Sequence, residues 1–251
     1  MTRQIRKQYT DIGYKPFLFF VIFGVTENEM QVSESKHHVD AFPEGLDVHV
    51  LCRKEHSDYI DGFFEGDLGK ILKESDYELY DKCRKAENCV IIKGDVIEDS
   101  TFDYMRNVIG IIQTFIEQGA VGILDFLTFS LFSPQNWTER FFEKEINAQN
   151  HVKILFSKED DGFWMHTRGM IEFGRPDYSI RGVDEADFDE YEKLLNQMIF
   201  HGGQGVFFDG VFRLHTYSGN AYKVRSKFVD DFENLDFNNA YCNVNVEQKE
   251  D

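Results

Sequence analysis

The sequence predicts an α+β protein made of two similar strand–helix–strand units, with helices packed on a mixed or antiparallel sheet. Short aromatic and β-branched runs, bounded by glycine or polar turns, recur along the 251 residues and read as strands. Two stretches instead set apolar residues at helical spacing, Asp99–Gly119 and residues 184–203. The segments FIEQGAVGILDFLTF and IFHGGQGVFFDGVFRL each finish an apolar helix, pass a glycine turn and enter an aromatic strand through an aspartate. That echo, with a period of roughly 85 residues, separates an N-terminal half (1–150) from a C-terminal half (151–251) of one compact globular chain.

Taken in order, Phe17–Val25 is a short buried strand closed by Gly24 and a polar turn. Residues 26–45 read as irregular. Leu46–Arg53 alternates as a second strand, and residues 57–76 read as a helix capped by Ser57 or Asp58 and broken by Gly62, Gly66 and Gly69. Asn88–Val96 is a strand with a continuous apolar centre. The helix of Asp99–Gly119 follows, capped by Ser100 or Thr101, with Phe102, Met105, Ile109, Ile112 and Ile116 on one stripe and Gly119 at its left-handed end. Ala120–Phe132 reads as one strand. Ser133 caps a helix over 134–148 with Pro134 in its first turn. Strands at 152–157 and 162–172, a turn at GRPD, a strand YSIRGV, the helix of 184–203 and a strand or hairpin at Gly205–Ser218 complete the second half. The acidic, Asn-rich end reads as an ordered edge around Tyr241–Val246 with a frayed terminus.

Composition narrows the function classes. With 42% hydrophobic residues the chain can bury a core, and 25 Phe with 11 Tyr make that core aromatic. The net charge of −18 and the lack of a basic cluster exclude a phosphate-neutralising nucleic-acid binder and disfavour an anionic membrane surface. The run FLFFVIFGV is too short to span a bilayer, and the basic opening has no apolar signal core. Four cysteines without a CxxC pair predict free thiols in a reducing, cytoplasmic setting. No motif implies a cofactor.

The stretch GFWMHTRGMIEFGRPDYSIRGV concentrates the polar candidates. On a strand, Trp164, His166 and Arg168 share a face, so an imidazole and a guanidinium could grip a phosphate or carboxylate. The competing reading is structural: Arg168 or Arg175 pairs with Glu172 or Asp177 and fixes the turn, while Gly174 and Pro176 supply its backbone angles. His215-Thr216 repeats His166-Thr167, and two histidines with Asp209 could ligate a divalent metal, but no compact HxH or HExxH spacing supports a metal site. His37-His38 reads as a solvated loop pair. There is no GxSxG elbow or phosphate loop; Cys89 reads as a buried thiol, and Asp125 and Asp209 as turn or bulge residues. The candidate ligand-binding set is therefore His166, Arg168, Arg175, Asp177 and His215, with no catalytic residue assigned.

The segments GAVGILDFLTFSLFSPQNW and HTRGMIEFGRPDYS resemble an uncharacterised bacterial protein family over roughly residues 88–183. The resemblance implies a bacterial cytoplasmic protein with one coherent fold, brings no reaction, and gives His166, Arg168, Arg175 and Asp177 weight beyond turn formation.

Two functions from different classes remain. The first is a non-enzymatic, acidic interaction protein that binds a basic protein partner, for instance an immunity protein neutralising a toxin. The second is an enzyme or small-anion binder on the His166/Arg168/Arg175 face. Convergence of those side chains in a concave pocket separates the two.

Overall fold

A computed structural model describes residues 4–25, 32–142, 144–216 and 219–250. Parts of the irregular region (26–31), Glu143 after the third-quarter helix, and Tyr217 and Ser218 at the end of the expected Gly205–Ser218 strand lie outside the described residues. The chain divides into two compact units: Met1–Ile5 with Phe17–Ile146, and Arg6–Pro16 with Asn147–Asp251. The fold is α+β, with one sheet in each unit. No described helix is long and apolar enough to cross a membrane.

The first unit contains β1 (Phe17–Phe23), α1 (Glu34–His37), β2 (Leu46–Cys52), α2 (Arg53–Gly62), α3 (Gly66–Ser75), α4 (Tyr77–Arg84), β3 (Asn88–Asp95), α5 (Asp103–Glu117), β4 (Gly122–Asp125), β5 (Ser130–Phe132) and α6 (Pro134–Phe141). Its sheet runs β2-β3-β1-β4-β5 and every pairing is antiparallel. One face, with Val21, Phe23, Cys89, Ile91 and Leu124, packs on Ile60, Phe63, Phe64, Leu72, Leu79 and Cys83 from α2 to α4. The other face buries Leu18, Phe20, Ile22, Val90 and Ile92, and Trp137 of α6 meets Phe20 edge-on. Both faces being covered explains why β1 and β3 are continuous apolar runs instead of alternating ones.

Several elements differ from the sequence expectation for identifiable reasons. The broken helix expected at 57–76 is two helices, α2 and α3, parted between Gly62 and the left-handed Gly66 as its glycines suggest, but α2 begins earlier, at Arg53, with a kink at His56, so neither Ser57 nor Asp58 caps it. The expected strand at 120–132 is a hairpin, because the Asp125 carboxylate accepts the amides of Leu127 and Thr128 and turns the chain. The helix after Ser133 stops at Phe141; Ser133 does cap it, accepting the Asn136 amide. His37 is not a solvated loop residue: it ends α1, is buried, accepts the Ser33 amide at Nδ1 and lies 3.3 Å from Glu117.

The second unit contains β6 (Lys153–Glu159), β7 (Gly162–Arg168), β8 (Asp177–Val183), α7 (Phe188–Gly203), β9 (Gly210–His215), β10 (Ala221–Val229) and β11 (Tyr241–Glu250). Its sheet is mixed and runs β6-β7-β8-β11-β10-β9. The C-terminal strand is not an edge: β11 inserts between β8 and β10, parallel to β8, and buries Cys242 and Val244. The strand–helix–strand echo is present as β3–α5–β4 and β8–α7–β9. The first crossover skips one strand and the second skips two, so the two units differ in topology.

Candidate functional site

β7 ends at Arg168, short of the expected Glu172, because Gly169 has φ +119 and a 3₁₀ turn follows over Met170–Phe173. Gly174 then reverses the chain at φ +59, a left-handed position where a side chain would also strike the Tyr14 carbonyl and Pro16. This turn is the centre of a buried polar network.

Asp177, fully buried, organises it. Its carboxylate accepts the Thr167 hydroxyl at 2.7 Å, the Met170 amide at 3.2 Å and the Asn239 side-chain amide at 3.1 Å. Burial raises its pKa from 3.8 to about 6, against the lowering effect of those donors and of Arg168. Thr167 in turn accepts the Tyr178 amide, which locks β7 to β8.

Arg175 is a structural hub. Its guanidinium donates to the carbonyls of Val206, Gly174, Thr10 and Gly205 at 3.2, 2.7, 2.6 and 2.6 Å. Arg6, also buried, donates to the carbonyls of Gly203 and Phe173, and both guanidinium groups lie over the Tyr9 ring. The two cations thus collect carbonyls at the C-terminal end of α7, where the helix dipole favours positive charge. The buried Glu172 carboxylate lies 3.2 Å from Nδ1 of the buried His151.

His166 and Arg168 do sit on one face with Trp164, but inside. His166 is 5% exposed, its ring stacks on Trp164 at 3.9 Å and meets Phe237 edge-on. Burial lowers its pKa to about 4; Asp236 raises it and Arg168 lowers it further. Its Nδ1 has no hydrogen-bond partner. Arg168 donates to the Asp236 carbonyl at 2.9 Å.

His215 is not part of this group. It is exposed at the end of β9, four strand positions from β7, roughly 19 Å at ordinary strand spacing. Asp209 accepts the Phe228 amide, an ordinary strand-end role. Among the described residues, no group of three or more His, Cys, Asp or Glu is placed to hold a metal. All four cysteines are free, and burial pushes Cys83, Cys89 and Cys242 up to about 12, so none of these three is a thiolate nucleophile at neutral pH.

Sequence reasoning missed Arg6, Tyr9, His151 and Asn239. No local pattern marks them, since Arg6 bonds a residue 197 positions away and Asn239 one 62 positions away. A second feature was readable as a charge count. The β6–β7 turn brings Asp160 and Asp161 beside Gly182, and the chain then runs through exposed Asp184, Glu185, Asp187 and Asp189. At this corner Phe188 packs on Phe163 and on Phe156, which is 44% exposed. Burial, and then the charges of Asp187 and Asp184, raise the pKa of Tyr191. Lys158 lies on β6, and Arg181 on β8 pairs with Glu159.

No protein-family model, curated protein or solved structure matches this chain.

Proposed function

We propose that this is a non-enzymatic interaction protein that binds a basic protein partner, as an immunity protein binds and neutralises a toxin, and that it docks through the acidic corner of the second unit. The observation that carries the reading is the corner itself: six exposed carboxylates, of Asp160, Asp161, Asp184, Glu185, Asp187 and Asp189, beside half-exposed Phe156. Such a surface steers a cationic partner in solution and offers an apolar contact once it arrives. By contrast, Arg175 and Asp177 are engaged by the chain's own backbone and side chains, which leaves them structural work.

The test is capture from the lysate of the source cell with wild type and a triple variant, Asp160→Lys/Asp184→Lys/Asp187→Lys. The expected result is one basic protein, held by wild type at low salt, released at high salt and not held by the variant. A partner held equally by both proteins would sink the corner as the docking surface.

One observation favours the alternative, an enzyme or small-anion binder: the unsatisfied Nδ1 of His166 beside Arg168. Its check is a melting-temperature screen with phosphate and small carboxylates, in which wild type should gain stability and His166→Phe should not.

A further inference from the structure

The four sheet edges of the protein are protected unequally. β5 is only three residues long; β6 carries Lys153 and Lys158; β9 begins at Gly210 and carries Arg213. Short strands and inserted cations are ordinary defences against edge pairing. β2 is seven residues long and has no lysine, arginine or proline within it. Val48 is 45% and Val50 68% exposed.

The direction of its backbone groups follows from its neighbours. The Asn88 carbonyl accepts from Gly24 on the β1 side, and the Glu87 carbonyl accepts from Arg53 on the β2 side. Strand alternation then turns the amides and carbonyls of Asp47, His49 and Leu51 toward β3, and those of Leu46, Val48 and Val50 outward. The Leu46 amide is returned to the Pro43 carbonyl, and no described strand borders this side of β2.

We propose that β2 is a homodimer interface, at which two copies of the chain pair β2 antiparallel about Val48. In that register Val48 faces Val48 as a hydrogen-bonded pair, and Leu46 faces Val50, where the Val50 amide donates to the outward Leu46 carbonyl while the Leu46 amide stays with Pro43. Asp47 of each copy then faces His49 of the other in the close, non-hydrogen-bonded position, Cα atoms about 4.5 Å apart. An imidazole N–H meets a carboxylate at both ends. The sequence LDVHV is thus complementary to itself. A slip of one residue sets inward groups against outward ones. Centring on His49 sets histidine against histidine and loses both polar pairs. Centring on Val50 sets Asp47 against Arg53, whose guanidinium already holds Asp61 and the carbonyls of Ala86 and Arg84.

A strand pair alone buries less than the roughly 1,200 Å² of a standard interface, so the dimer is weak and reversible. Each copy carries −18, so moderate salt, by screening long-range repulsion, strengthens it. That trend is opposite to the one expected for the acidic corner.

Sedimentation equilibrium over a concentration series tests the interface. Wild type should show a monomer–dimer equilibrium. Val48→Pro removes only an outward amide, which edge strands tolerate, and should weaken dimerisation at least about tenfold with an unchanged melting temperature. Asp47→His and His49→Asp should each weaken it alone. Mixed together they should restore it, because every histidine again faces a carboxylate. Wild type that stays monomeric at every concentration, or a dimer unaffected by Val48→Pro, overturns the interface; a mixture no tighter than its components overturns the register.

Discussion

The two sheets are held by different chemistry. In the first unit, β1 and β3 bury apolar side chains on both faces, and the helices α2 to α4 close one side with phenylalanine, leucine and cysteine. In the second, the buried set includes all three of the arginines that are buried among the described residues, Arg6, Arg168 and Arg175, with Glu172, Asp177, His151 and His166. The difference tracks chain connectivity. The apolar contacts of the first unit run through the continuous chain from β1 to β5, whereas the polar groups of the second tie the separate Arg6–Pro16 segment and Asn239 to the 169–177 turn. Directional bonds specify which segments meet; apolar area alone does not.

The largest effects should come from breaking each core at its centre. Arg175→Met removes the guanidinium from four carbonyls in a buried site, of which Gly205 keeps another donor, the Thr10 amide, and should cost the second unit about 3–5 kcal/mol. Phe23→Ala opens a cavity among Phe63, Phe64 and the sheet and should cost the first unit a similar amount, about 3–5 kcal/mol. The protein carries its own reporters, since its two tryptophans, Trp137 and Trp164, lie one in each unit. Urea unfolding in a Trp137→Phe background reads the second unit and in a Trp164→Phe background the first. Each substitution should shift the transition of its own unit more than that of the other.

A sharper contrast lies within the polar network, where His166 and Asp177 pull in opposite directions with pH. The folded His166 has a pKa of about 4 against 6.5 ordinarily, so the unfolded chain binds its proton more readily. Its contribution is present above pH 6.5 and lost as pH falls toward 4, about 3 kcal/mol in all. The folded Asp177 has a pKa of about 6 against 3.8, so the folded chain binds that proton more readily. Its contribution is present at low pH and is lost, again by about 3 kcal/mol, as pH rises from 3.8 through 6. Between pH 4 and 6 the two slopes nearly cancel. His166→Phe should leave a second unit that weakens as pH rises, and Asp177→Asn one that strengthens; equal slopes in both variants would mean that neither group titrates as its burial requires.

Much of the first unit was legible because its driving force is periodic. β1, β3 and α5 follow from apolar spacing, and the Ser133 cap from a residue type beside Pro134. The β4–β5 hairpin was not legible: its turn uses Phe129 at φ +52, a left-handed phenylalanine that gives none of the glycine signal by which turns are read. In the candidate site, the turn at Gly174 was readable and the burial of His166, Arg168, Arg175 and Asp177 was not. Their partners are backbone carbonyls and an asparagine supplied from the two ends of the chain, which periodicity cannot report.

The smallest predicted effect bears on why the network is fully bonded. Thr167 gives its hydroxyl proton to Asp177 and receives the Tyr178 amide, so one oxygen serves both β7 and β8. Thr167→Val keeps the shape and removes both bonds, and should cost about 1–2 kcal/mol at neutral pH. Because the lost donor is one that lowers the Asp177 pKa, the acid-side gain in stability should also begin at higher pH than in wild type. A purely steric role for Thr167 would reproduce the loss of stability but leave that onset where it was, so the pH at which the second unit begins to gain stability, read through Trp164, decides whether the threonine tunes the buried carboxylate or only fills its place.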